Sequence, residues 1–181
     1  MSQGFQIYDQ NNPYYLTFQV VKWVDVFTRN EYKQIVINSF DYCRKHKGLE
    51  LYAYVLMTNH IHLIARAKEP FQLSDIIRDF KKFTANQLLP LLQLPQESRS
   101  DWIMKRFEFA AREHQRNSHY QLWTHENHAV ELFTPAFTQQ KMEYIHNNPV
   151  RTGIVEKPED YLYSSARNYA GLKSVLEIDL L

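Results

Sequence analysis

Two strand-like runs joined by only two residues constrain this chain most. Residues 49–57 are rich in Leu, Tyr and Val, and residues 60–67 follow after Thr58 and Asn59 alone. A link that short permits only antiparallel pairing, because parallel neighbours need a crossover of a dozen or more residues. The chain must therefore build an antiparallel sheet around this hairpin. Further pieces fit around it. Residues 14–23 alternate Leu16, Phe18 and Val20 with Thr17, Gln19 and Val21, which predicts a strand. Asn30 can cap a helix in which Tyr32, Ile35, Val36, Phe40 and Cys43 recur at helical spacing, with Gly48 as its stop. Ser74 can cap a second, whose stripe is Leu73, Ile76, Ile77, Phe80, Phe83 and Leu88, with a break framed by Pro90 and Pro95.

Beyond the break, residues 101–116 read as a helix with Ile103, Phe107, Ala110 and Ala111 inward, and residues 120–124 as a fourth strand. Thr138 can cap a short helix running up to Pro149, and residues 158–171 read as a further helical turn. The order β-α-β-β-α-β is the ferredoxin-like split unit of an α+β protein. Here it has an extra helical segment before the last strand and a C-terminal helical appendage. One face of such a sheet is covered by helices, and the other is left for a ligand or partner.

The 181 residues suit one domain, with a core over about 14–171. The lone Cys43 excludes a disulfide framework. The four glycines, Gly4, Gly48, Gly153 and Gly171, form no phosphate-cradling loop, so no nucleotide cofactor is expected. No apolar run approaches the ~18 residues that span a bilayer, and no signal peptide is visible. A cytoplasmic protein without membrane contact is the expectation. A net charge of +1 does not announce a nucleic-acid partner, but a local basic stripe can still bind phosphates.

Two segments carry chemistry. In His60-Ile61-His62, strand periodicity sends both imidazoles to one face and Ile61 to the other. Two neutral imidazoles side by side can share a metal ion; structural histidines at a hairpin mouth are the plainer alternative. In residues 141–151, Tyr144 and Asn148 stack one turn apart on a helix face, Lys141 lies one turn earlier, and Pro149 should end the helix at Asn148. A half-buried tyrosine followed by Asn-Asn-Pro turn chemistry is the plainer alternative there.

Basic residues gather twice. Arg78, Lys81 and Lys82 lie at i, i+3 and i+4, either as a phosphate-binding stripe or as a solvated face partnered by Asp75 and Asp79. Lys105, Arg106, Arg112 and Arg116 form a second segment interrupted by Glu108 and Glu113. Tyr14, Tyr120 and Trp123 are candidate stacking platforms for unpaired bases.

Taken together, Met57-Thr58-Asn59-His60-Ile61-His62-Leu63-Ile64 and Tyr144-Ile145-His146-Asn147-Asn148-Pro149-Val150-Arg151-Thr152-Gly153-Ile154-Val155 resemble the single-tyrosine HUH transposases, and most closely the REP-associated tyrosine transposase branch. Ser164-Ser165-Ala166 and Asp79-Phe80-Lys81-Lys82-Phe83-Thr84 resemble that branch too. The likeness runs from about Tyr14 to Gly171, and the His pair precedes the tyrosine as in that family. It implies an HUH endonuclease domain that cuts and rejoins single-stranded DNA through a 5′-phosphotyrosine, with Mg²⁺ or Mn²⁺ as cofactor.

Carried over by position, Tyr144 is the nucleophile and His60, His62 and Asn148 are the metal ligands. Arg78, Lys81, Lys82, Lys141 and Arg151 are the expected DNA contacts. The implied partner is a single strand with a REP-like hairpin, bound by a monomer or homodimer. His146 belongs to the motif without an evident role. A domesticated protein that binds hairpins without cutting is the alternative, and a metal-dependent hydrolase with a structural Tyr144 is a third reading.

Overall fold

In the computed structural model, which describes residues 6–113 and 119–181, the chain runs in the expected order. β1 (Tyr14–Gln19) leads to α1 (Asn30–His46), then β2 (Leu49–Leu56) and β3 (His60–Ala67). There follow α2 (Leu73–Leu92), α3 (Ser100–Arg112), β4 (Val130–Glu131), α4 (Pro135–Arg151) and α5 (Ala166–Tyr169). The strands form one antiparallel sheet in the order β2-β3-β1-β4, that of the ferredoxin-like split unit.

Register decides what each face of the sheet carries. Thr17 pairs with His62, Gln19 with His60, and Val55 with His62 from the other side, so these residues share a face. Leu16, Phe18, Ile61 and Leu63 point the opposite way and are fully buried. There Phe18 meets Phe80 of α2 at 5.6 Å between ring centroids, and Phe80 stacks on Phe40 of α1 at 4.4 Å. Each such ring contributes about 1.5–3 kcal/mol of apolar burial. The opposite face, expected to be left for a ligand or partner, is crossed by α4.

The fourth strand is displaced from its expected position at residues 120–124. That stretch meets the chain at and just beyond the end of β1, where Val20 is bridged to Trp123 and the Thr124 N–H donates to the Gln19 carbonyl at 2.9 Å, whereas β4 pairs Tyr15 with Val130. The six residues from Tyr15 to Val20 are thus matched by eight, Trp123 to Val130, on the neighbouring stretch. The surplus is absorbed in an irregular edge where His128 takes φ +44°. Trp123 explains the priority: its ring is buried, stacks on Phe27 at 5.6 Å, and donates from Nε1 to the Thr84 hydroxyl at 2.9 Å.

Several helix limits also move. Asn30 and Ser74 lie inside α1 and α2, and Arg29 and Gln72 precede them without a side-chain cap. Pro90 does not break α2, because Leu88 and Leu92 on either side are fully buried and hold the last turn together. Phe83, expected in the apolar stripe of α2, is exposed. α3 begins at Ser100, and part of its expected end at Arg116 lies outside the described residues. Thr134, not Thr138, caps α4; its hydroxyl accepts the Phe137 N–H at 3.2 Å, with Pro135 in the first turn. Nor does α4 stop at Asn148. Pro149 is buried within it, and Gly153 (φ +75°) closes it with two bonds, Gly153 N–H to Val150 and Ile154 N–H to Pro149, both 2.9 Å.

The C-terminal appendage shields a sheet edge. Leu56 N–H donates to the Tyr163 carbonyl at 2.9 Å, and Ser165 N–H donates to the Tyr54 carbonyl at 3.0 Å. The Tyr54 N–H in turn donates to Ser165 Oγ at 2.9 Å. Further on, Asp179 N–H donates to the Leu51 carbonyl at 2.8 Å. The free edge of β2 is thereby covered.

Candidate active site

The site is assembled from β3, β1 and α4. His60 and His62 project side by side from β3, with ring centroids 4.7 Å apart. Nδ1 of His60 lies 2.7 Å from the Asn59 side-chain oxygen, which can only accept; Nδ1 therefore carries the proton and the Nε2 lone pair is open. Nδ1 of His62 is held at 2.9 Å by both the Tyr15 hydroxyl and the Thr17 hydroxyl, leaving its Nε2 as the nitrogen free for a ligand. Burial lowers the pKa of both rings. That of His62 falls to about 3, through burial first and then through His60, Arg151 and Lys141. Both imidazoles are neutral at ordinary pH, as metal ligation requires.

From α4, Tyr144 sets its ring edge-on to His62 at 5.4 Å and to Tyr15 at 6.2 Å. It is 39% exposed, so part of its side chain is open to a polymer lying on the surface. The Arg151 guanidinium stacks over the Tyr144 ring at 4.0 Å, and the Lys141 ammonium sits 4.7 Å from the Tyr15 ring and 6.0 Å from that of Tyr144. Burial raises the Tyr15 hydroxyl to about 12, so it stays protonated beside His62.

One turn on, Asn148 is buried and its side-chain oxygen has no hydrogen-bond partner. An orphaned buried carbonyl costs about 1–3 kcal/mol. No group of three or more His, Cys, Asp or Glu gathers among the described residues, so a cation here would need this amide oxygen to complete the histidine pair. Two imidazole nitrogens and one neutral oxygen make an open donor set that fits a divalent ion with room for phosphate oxygens.

His146 points elsewhere. Its Nε2 lies 2.8 Å from Ser165 Oγ and its ring packs on Tyr169 at 5.4 Å, so it bolts α4 to the segment that covers β2. Burial lowers its pKa to about 4, and the bond is made by a neutral ring.

The other sequence candidates divide. Lys141 and Arg151 flank the tyrosine. Arg78 and Lys82 lie on α2, beyond the sheet, and Arg78 is ion-paired with Asp75 at 2.7 Å and Asp79 at 2.9 Å. Lys81 is removed from any phosphate-facing stripe: its ammonium sits over the Phe18 ring and donates to the Thr124 carbonyl at 2.9 Å. Tyr14 and Trp123 are buried and cannot stack on a base. The sequence reading missed Trp23, which is 61% exposed and edge-on to His60 at 6.3 Å. Lys22 (φ +53°) and Trp23 (φ +56°) both take left-handed backbone, a strain of about 1–3 kcal/mol each. Nothing local distinguishes Val20–Val24 from a continuing strand, so no sequence signal would have found it.

Residues 11–148 match the family model described as "Transposase IS200 like". The chain belongs to the IS200-like transposase family. Among solved structures, it resembles a REP-associated tyrosine transposase bound to a REP hairpin. The TM-score is 0.68 and identity 17%, over 99% of this chain and 92% of that one. A candidate transposase from Deinococcus radiodurans R1 gives a TM-score of 0.45 and 18% identity, over 81% of this chain and 97% of that one. No curated protein matches the sequence significantly. For an IS200-like transposase, the grouping of Tyr144 with the histidine pair is the feature to explain. No helix among the described residues is long and apolar enough to cross a membrane.

Proposed function

We propose that this IS200-like transposase cuts and rejoins single-stranded DNA, with Tyr144 as the nucleophile. One observation carries the reading: a half-exposed phenol stands against a pair of neutral imidazoles, with an unpartnered amide oxygen one helical turn away. The phenolate oxygen of Tyr144 attacks the scissile phosphorus, and the bond from phosphorus to the 3′ oxygen breaks. The products are a 5′-phosphotyrosine and a strand ending in a 3′-hydroxyl, which takes up a proton. Attack by a 3′-hydroxyl on the phosphotyrosine reverses the step and frees Tyr144. Bond energy is conserved in the ester, so rejoining needs no nucleotide, which agrees with the missing phosphate loops.

His60, His62 and Asn148 would hold the divalent ion, Mg²⁺ or Mn²⁺, which when bound draws charge from the scissile phosphate. The nitrogen donors favour Mn²⁺ of the two. Lys141 and Arg151 attract the phosphate to the tyrosine. Tyr15 and Thr17 keep His62 in one orientation. All these residues belong to one chain, which supports action as a monomer. The neighbour bound to a REP hairpin supports a hairpin-bearing strand as the DNA.

A denaturing gel tests this with 5′- and 3′-labelled single strands containing hairpins, with and without Mn²⁺. A metal-dependent covalent adduct at the 5′ side of the cut, lost in Tyr144→Phe, is expected. Cutting that persists in Tyr144→Phe would mean water is the nucleophile and would sink the reading.

A further inference from the structure

We propose that the outer face of α3, continued by Trp23, is a track that carries single-stranded DNA to and from the histidine pair. The inference rests on the cleavage reading above for its direction, but on separate residues for its substance. Trp102, Lys105, Arg106 and Phe109 recur at i, i+3, i+4 and i+7, and so share one stripe of the helix. All four are exposed, while Ile103, Met104, Phe107 and Ala110 on the other side are buried. A surface helix normally presents charge there. This one presents two large rings, Trp102 at 48% and Phe109 at 56% exposure. The cations stand beside them: Arg106 lies 5.4 Å from the Trp102 ring, and the Lys22 ammonium lies 5.0 Å from the Phe109 ring.

Lys22 links the stripe to the site. It reaches back to α3, pairing with Glu113 at 2.7 Å, and the next residue, Trp23, stands beside His60. Trp23 is fixed in place. Its N–H donates to the Val20 carbonyl at 3.2 Å, and its own carbonyl accepts from the Asn59 amide at 3.3 Å. An exposed ring on a fixed backbone, next to a histidine of the candidate site, fits the stacking of a base adjoining the cut. Trp102 and Phe109 lie about 10 Å apart along the helix axis, enough for a few nucleotides. Alternating rings and cations match the bases and phosphates of a single strand, and stacking on a ring accepts any base. The occupant is therefore the unpaired flank of the substrate, bound with little base preference.

A fluorescein-labelled dT20 strand is the probe, since it needs no knowledge of the target and cannot form a hairpin. Anisotropy at low salt is read for Trp23→Ala, Trp102→Ala and Phe109→Ala, all made in Tyr144→Phe to remove cutting. Each is expected to weaken binding about tenfold. Trp23→Phe should restore most of the loss because a phenyl ring still stacks. Phe83→Ala, an exposed ring on α2, should change affinity less than about twofold. Unchanged affinity in all three alanine variants overturns the track, as does an equal loss in Phe83→Ala. A change in self-association without a change in dT20 affinity would make the stripe a protein contact and overturns it too. Unchanged dT20 affinity, together with normal adduct formation when the same stripe substitutions are made with Tyr144 intact, leaves the cleavage reading standing alone. Ring-dependent dT20 binding by a protein that forms no adduct leaves the track standing alone.

Discussion

The two faces of the sheet have been built to opposite rules. Toward α1 and α2, Phe18, Phe40 and Phe80 interlock, and a lysine that enters, Lys81, is tied to a backbone carbonyl. Toward α4, an amide oxygen is left without a partner, two cations crowd a tyrosine, and two histidines are kept neutral by burial. Stability comes from the first face, and the second retains unfavourable features that a phosphate and a cation would relieve. Such segregation lets the site hold unsatisfied groups without loosening the framework that aims them.

Substitutions that separate stability from chemistry test this contrast most strongly. Phe80→Ala should destabilise the fold by about 3–5 kcal/mol in urea unfolding. Tyr144→Phe, which keeps the ring, should shift it by less than about 0.5 kcal/mol while abolishing the covalent adduct. A comparable loss of stability in both would erase the distinction between the faces. Asn148→Leu probes the orphaned oxygen. Its removal should leave stability unchanged or raised by up to about 2 kcal/mol, yet cut adduct formation by about 100-fold. A clear fall in stability would mean the oxygen is satisfied in solution.

Smaller effects should follow the same division. Lys141→Ala should slow adduct formation by about tenfold, whereas Arg78→Ala, already paired with two aspartates, should leave the rate unaltered in the same gel assay. Burial lowers the Lys81 pKa to about 7 from an ordinary value near 10.5. Between those values the unfolded chain holds a proton that the folded chain has released, so stability should rise with pH from about 7 toward 9. Lys81→Met should flatten that rise in urea unfolding measured across the range, and an identical slope would place the charge outside the core.

What the sequence made legible was local. The two-residue link at Thr58-Asn59 forces a hairpin, and period-2 alternation sends His60 and His62 to one face whatever else happens. Tyr144 and Asn148 share a face by helical spacing alone. Illegible features depended on distant partners. Phe83 sits in the same apolar stripe as Phe80, and only the placement of α1 decides which is covered. Pro90 and Pro149 carry a local stop signal that burial of their neighbours overrides. The two extra residues opposite β1 follow from where Trp123 must put its ring. An unpartnered oxygen on Asn148, like the exposure of Trp23, has no signature in a string of residues.

The bond between His146 and Ser165 has a consequence in time. A ribosome releases Tyr144 well before it releases residues 161–165, which anchor α4 through that bond and cover the edge of β2. A half-made chain therefore carries Tyr144 on a helix that lacks its fastening. The order of synthesis leaves α4 unfastened until the segment that holds it has emerged.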